Sequence, residues 1–257
     1  MSKYNIFTVL NDGYFKFGKV FVHSIIDRLD LDLIGNIFIY DTGLSKESRS
    51  ELQICEKIRI VSTGIETKHV KIHDKDWEDN VYSKARLLRH CIDNQENFLP
   101  TAMIDCDSIF IDEFHDVWDM NSYDIVTCLR SSRGRSSDHI STSTHIGSFF
   151  AVNNREAAQA FLDFWISEIS NIASWDQKGN YVAKESPALS NAIELYRDSL
   201  RVGEFQEYII SNIEKTIPSE AKILHLKSDF GLETVDLRLS QPRATFYTQR
   251  YLTNEPT

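Results

Sequence analysis

The residues best placed by type and spacing to do chemistry are Asp105 and Asp107, with Cys106 between them. They follow the apolar stretch Phe98–Ile104, which reads as a strand. Residues i and i+2 of a strand share a face, so the two carboxylates are expected side by side at a strand end. Two acids on one face repel unless a cation or water lies between them. A hard divalent cation with oxygen ligands is the natural occupant, and nucleotide phosphates often complete such a site. Apolar residues resume at Ile109, Phe110 and Ile111. The acids therefore interrupt a buried run, where a carboxylate without a partner is costly. Asp-x-Asp is a short pattern, and a pair of solvated strand-end acids is the competing reading.

His225 is the candidate third ligand. It lies between Leu224 and Leu226 on a short apolar strand, where a lone histidine is more often a hydrogen-bonded structural residue. Two carboxylates and one imidazole suit Mn²⁺ or Mg²⁺, and Mn²⁺ tolerates imidazole better. Lys84 opens the helix before the acidic strand. It is placed either to meet a phosphate or to sit in solvent, as most lysines do. Tyr14 follows the first turn and suits either stacking on a base or helix packing.

The elements that must position these residues follow from periodicity. Strands are expected at Tyr4–Leu10, Leu33–Tyr40, Ile58–Ser62 and Leu99–Ile104, and helices at Tyr14–Leu29, after Ser45, and at Val81–Ile92. That alternation predicts an α/β fold, with a mainly parallel sheet flanked by helices on both faces. Ligands of such sheets bind at the carboxyl ends of the strands, and Asn11, Asp41 and Asp105 each follow one. Further on, Ile146–Val152 and Lys222–Leu226 read as strands, and Asn154–Ile169 and Glu185–Leu200 as helices. The Ser-, Thr- and Arg-rich stretch from Ser131 is expected to be a mobile loop, long enough for a lid or acceptor loop.

With 257 residues and 42% hydrophobic content, one large domain is expected. The formal charge of −10 argues against a nucleic-acid partner, which needs a basic footprint. Cys55, Cys91, Cys106 and Cys128 have neither a CxxC nor a zinc spacing, and read as reduced thiols of a cytoplasmic protein. No apolar run approaches the ~18 residues of a transmembrane segment. The N-terminus lacks the pattern of a signal peptide. Any membrane contact would be peripheral.

Four pieces of the chain resemble the glycogenin-like (family eight) glycosyltransferases. The opening turn Asn11-Asp12-Gly13-Tyr14, with Val20 and Ser24 in the helix that follows, resembles the family's Asn-Asp-x-Tyr turn and helix. Tyr82-Ser83-Lys84 resembles the Thr-Lys before its metal strand, Met103–Ile111 resembles that strand, and Ile223-Leu224-His225 its late histidine strand. Order and rough spacing agree over most of the chain.

The resemblance implies a GT-A fold with a Rossmann-like central sheet and a smaller acceptor-side region. It implies one domain over 1–257, with a nucleotide-binding half (1–112) and a sugar and acceptor half (113–257) that carries the mobile loop 131–145. The donor would be a UDP-sugar, and the acceptor a glycan, a lipid-linked saccharide or a protein. Asp105, Asp107 and His225 would hold Mn²⁺ (or Mg²⁺), with Asp105 shared toward the ribose and Cys106 turned into packing. Thr8, Val9, Asn11 and Tyr14 would contact uracil and ribose, partly through backbone. Lys84 would approach the ribose or diphosphate. Glu185, in Glu185-Ser186-Pro187-Ala188-Leu189-Ser190-Asn191, would lie near the donor sugar; it and Lys84 are the candidate catalytic residues. Glu185 is equally placed to be a first-turn helix acid. Gly147 would match a glycine of the family.

Some positions depart from the family. Glu185-Ser186 stands for Asp-Gln and His145-Ile146 for Asn-Ser. No Gly-x-x-Lys-Pro-Trp follows His225, and Lys227 is the nearest cation after it. These changes touch the sugar and acceptor side and leave the nucleotide–metal side intact. The competing readings are a phosphatase of the haloacid dehalogenase type, with Asp105 as nucleophile, and a GT-A-shaped nucleotide-sugar-binding protein without activity.

Overall fold

The computed structural model describes residues 3–67, 75–115, 118, 122–130, 143–173, 184–207, 209–211 and 217–226. Its first half runs β1 (Tyr4–Leu10), a 3-10 turn (Asp12–Tyr14), α1 (Phe15–Arg28), β2 (Ile34–Asp41), α2 (Lys46–Leu52), β3 (Ile58–Ser62), α3 (Lys75–Asp93) and β4 (Thr101–Ile104). The second half runs β5 (Ser108–Phe110), β6 (Ile125–Leu129), β7 (His145–Val152), α4 (Arg155–Asn171), α5 (Glu185–Tyr196), β8 (Val202–Gln206), β9 (Ile210–Ser211) and β10 (Ile223–His225).

The central sheet has seven strands in the order β3-β2-β1-β4-β7-β6-β8. β1 pairs in parallel with β2 and β4, β2 with β3, and β6 with β8. Only β7 runs the other way, antiparallel to both β4 and β6. The strand order reverses between β1 and β4. In an open α/β sheet the crevice at such a reversal, outside the carboxyl ends of the strands, is where ligands bind. Because β7 is reversed, its first residues, not its last, lie at that rim.

Each face of the sheet carries its own core. On one face Phe17, Val20, Phe21 and Ile25 of α1 pack with Ile6, Ile104, Phe149 and Phe110. On the other, Leu88 of α3, Phe161 and Trp165 of α4 and Leu189 of α5 pack with Phe7, Met103 and Phe150. Phe150 and Phe161 stack with ring centroids 5.3 Å apart and planes 4° from parallel. β1 is buried at every residue, as a central parallel strand covered on both faces must be.

Side chains fix where the helices begin. Asn11 accepts the Tyr14 N–H at 3.3 Å, Ser45 the Ser48 N–H at 3.1 Å, and Asn154 the Ala157 N–H at 3.2 Å. Each satisfies an amide that has no partner within its helix.

Four expectations need correction. Asp105–Asp107 lies in a turn beyond β4, so the two acids do not share a face by strand alternation. The apolar run after it is β5, which leaves the main sheet and joins a three-stranded sheet in the order β5-β10-β9. β6, β8 and β9 are not evident from the sequence; their segments are short, and β8 pairs with the earlier β6 across α4 and α5. The loop expected at 131–145 gives way to β7 at His145, and 131–142 lie outside the described residues, as does Lys227. All four cysteines are free, and among the described residues no helix is long and apolar enough to cross a membrane.

Candidate active site

The turn after β4 is closed by the Ser108 N–H donating to the Asp105 carbonyl at 3.1 Å. It is tied to the reversed strand by the Asp105 N–H donating to the Ser148 carbonyl at 3.1 Å. A turn, not strand alternation, therefore brings the two carboxylates to one side. Beyond it, β5 and β10 pair antiparallel with Ser108 opposite His225, and the Leu226 N–H donates to the Asp107 carbonyl at 3.0 Å. α1 backs this small sheet: Ser24 Oγ donates to the Phe21 carbonyl at 2.7 Å and accepts the Phe110 N–H at 3.1 Å.

His225 Nε2 consequently lies 3.2 Å from Asp107 Oδ1 and 3.7 Å from Asp105 Oδ2. One ligand atom from each of Asp105, Asp107 and His225 falls within 4.8 Å of the other two. Asp107 and His225 are buried and Asp105 is partly open. Two acidic oxygens and an imidazole nitrogen, converging at little exposure, form a donor set that fits a hard or borderline divalent ion such as Mn²⁺. Cys106, between the acids, packs against the core beneath α1, and burial pushes its thiol up.

On the other side of the turn, Lys84 of α3 and Glu185 of α5 meet. Lys84 Nζ is 2.6 Å from Asp105 Oδ1 and 3.0 Å from Glu185 Oε1. Burial works against the charge on Lys84, but the Asp105 and Glu185 carboxylates outweigh it and hold the ammonium well above the usual lysine range. Burial pushes the Glu185 carboxyl up to about 7, with Lys84 opposing and Asp105 reinforcing the shift.

The backbone places Glu185 closely. Its carbonyl accepts the Trp165 Nε1–H at 3.2 Å, and the neighbouring Ser186 Oγ accepts the Gly147 N–H at 3.1 Å. Its side chain lies over Gly147, where a Cβ would meet Cδ at 2.7 Å and Cγ at 2.8 Å. The missing side chain at 147 is what gives Glu185 its place.

The first three strand ends are stitched to one another. Thr8, Val9 and Tyr14 are buried, and Asn11 has no exposed surface. Asn11 spends its oxygen on the Tyr14 N–H and donates from Nδ2 to Thr67 Oγ1 at 3.1 Å. The Tyr14 ring packs in the core, its centroid 5.9 Å from that of Phe17. Asp41, read as a rim acid, accepts the N–H groups of Gly43 and Leu44 at 2.8 and 2.7 Å and pairs with Arg49. The Thr67 N–H donates to the Thr42 carbonyl at 2.7 Å. What Asn11 offers a ligand here is chiefly backbone. Thr67 and Trp165 were not singled out from the sequence, and no local pattern links 67 to 11 or 165 to 185.

His145 lies at the same rim but outside the carboxylate cluster. Its Nε2 is 3.1 Å from Glu204 Oε1 and its Nδ1 2.9 Å from Thr144 Oγ1. Burial pulls its pKa down, against the pull of Glu204.

No family model matches the chain, and no curated protein is similar to it in sequence. Solved structures are similar in shape. The galactosyltransferase LgtC, in complex with donor and acceptor sugar analogues, superposes with a TM-score of 0.56 at 11% identity, over 98% of this chain and 97% of that one. The chain has a GT-A fold. An active-site mutant of LgtC gives 0.58 at 11% identity over 86% of both chains. The bifunctional glycosyltransferase WbbM in its apo form gives 0.55 at 9% identity, over 98% of this chain and 52% of that one. At these identities the likeness shows the GT-A fold alone.

Proposed function

We propose that this chain is a metal-dependent glycosyltransferase that moves a hexosyl group from a UDP-sugar, with retention, to an acceptor hydroxyl. One observation carries the reading: the Asp105–Asp107–His225 cluster at the switch-point crevice of a GT-A fold, with Lys84 and Glu185 beside it. The nucleotide would lie along the ends of β1 and β2, near Thr8, Val9, Asn11 and Tyr14.

A divalent ion held by Asp105, Asp107 and His225 would, when bound, stabilise the negative charge that develops on the diphosphate as its bond to the sugar breaks. Lys84 adds a fixed positive charge at the same rim. Its two carboxylate partners keep it charged and in place, so little reorganisation is needed as the leaving group forms. Glu185 meets the same ammonium, and its carboxylate would accept hydroxyls of the donor sugar and favour positive charge at the anomeric carbon. The acceptor is a glycan, a lipid-linked saccharide or a protein.

Calorimetric titration of UDP, with and without Mn²⁺, tests this. UDP binding that depends on the metal supports the reading, and absent or metal-independent binding overturns it. A screen for Mn²⁺-dependent hydrolysis of nucleotide sugars then identifies the donor without needing an acceptor. Binding without turnover of any donor would mark an inactive nucleotide-sugar-binding protein. Turnover of phosphomonoesters without nucleotide would mark a phosphatase.

A further inference from the structure

Lys84 bridges the two sides of the site, pairing with Asp105 and with Glu185. Asp107 and His225 reach the rim from the small sheet on the α1 face, and Glu185 reaches it from α5 on the other. Asp105 sits between them with its two oxygens divided. Oδ1 is 2.6 Å from Lys84 Nζ, while Oδ2 is 3.7 Å from His225 Nε2, on the side of the proposed metal. The same ammonium is 3.0 Å from Glu185 Oε1. The side chains of Lys84, Asp105 and Glu185 are 13, 19 and 13% exposed, so water screens the Lys84–Asp105 hydrogen bond and the Lys84–Glu185 ion pair only weakly. The Glu185 backbone is held by the Trp165 Nε1–H donating to its carbonyl, and its side chain lies over Gly147, which has no Cβ to displace it.

We propose that Lys84 is a positioning residue through which Glu185 sets the strength of Asp105 as a metal ligand. This rests on the reading of Asp105, Asp107 and His225 as a metal site. One ammonium divides its charge between two carboxylates. If Glu185 gives up its share, Lys84 passes wholly to Asp105, which then competes less well for a cation. The metal side and the sugar side of the site are therefore not independent. A ligand that engages Glu185 alters metal affinity, and the metal alters the affinity for that ligand by the same factor.

A double-mutant cycle tests this without reference to turnover. Mn²⁺ dissociation constants are read from the paramagnetic resonance signal of the free ion, with and without UDP. The proteins are the whole chain, Glu185→Gln, Lys84→Met and the double variant, each checked for folding by thermal melting. Contact coupling of this kind is expected to weaken Mn²⁺ binding about fivefold in Glu185→Gln when Lys84 is present, and less than about twofold when it is Met. A through-space effect of the lost charge would give the same factor in both backgrounds, and that result overturns the coupling. Lys84→Gln keeps an amide donor for Asp105 but removes the charge that the two carboxylates share. It replaces Lys84→Met where the latter fails to fold, with the same expectation. If the wild-type chain binds no Mn²⁺ with or without UDP, the metal reading falls, and the coupling with it.

Discussion

His225 stands opposite Ser108 in the β5–β10 pair, one residue beyond Asp107. That register sets an imidazole nitrogen 3.2 Å from an acidic oxygen, although the two residues lie far apart in the chain. Slipping the pair by one residue would turn His225 to the other face. The metal reading therefore depends on a three-residue strand, held by α1 through Ser24.

Asp107→Ala removes a buried carboxylate that faces His225 and leaves the main sheet untouched. Metal-dependent UDP binding is expected to weaken by at least about tenfold, which corresponds to about 1.4 kcal/mol. Calorimetry with Mn²⁺ measures it, and unchanged affinity would remove Asp107 from the metal site.

Gly147→Ala places a Cβ 2.7 Å from Glu185 Cδ. The side chain must swing away and the Lys84–Glu185 pair must open. Because the clash falls on a side chain, the fold is expected to survive, with a cost of about 1–3 kcal/mol from overpacking. Donor turnover is expected to fall at least about tenfold, since small displacements at reacting groups are costly. Thermal melting and a donor-hydrolysis assay on the same preparation separate the two effects.

Gly43→Ala is expected to act through stability instead. Gly43 has φ +134°, a conformation side chains rarely adopt, and a Cβ there would lie 2.8 Å from the Thr67 carbonyl oxygen. Backbone cannot yield as a side chain does. The expected loss is about 2–4 kcal/mol, read by urea denaturation, and UDP affinity should fall with it as the β1–β3 rim loosens.

Asp124 gives a pH dependence. Its bonds to the Arg201 guanidinium, chiefly, and to the Arg201 N–H and Asn154 hold its carboxyl down at about 2, against burial. A carboxyl whose folded pKa is depressed contributes stability above its unfolded value, near 4, and loses it as pH falls toward the folded value. Wild type should therefore melt above Asp124→Asn at neutral pH, with the gap closing between about pH 4 and 2. A gap that persists unchanged to pH 2 would contradict the assignment.

The sites differ in how far they can be read from the chain. Asp105 and Asp107 announce themselves because two acids break an apolar run. Lys84 is visible as a cation on a helix, but not its partner: solvent was the favoured reading, and the structure seats it between two carboxylates. Tyr14, suited by type to stacking or to helix packing, has its ring in the core against Phe17. Asn11 also caps the turn with its side-chain oxygen, a role its type allows but does not announce.

Apolar periodicity and turn chemistry by themselves determined the alternation of strands and helices through β4, and hence a mainly parallel sheet with a polar rim. These are local properties, set by which residues within one element must face a core. The tertiary structure alone decided the reversal of β7, the separate sheet that carries β5, the register that seats His225, and the sharing of Lys84 between Asp105 and Glu185. Each depends on pairing or charge between segments far apart in the chain. Such contacts become favourable only after the chain has closed on itself, and leave no periodic trace in either segment alone.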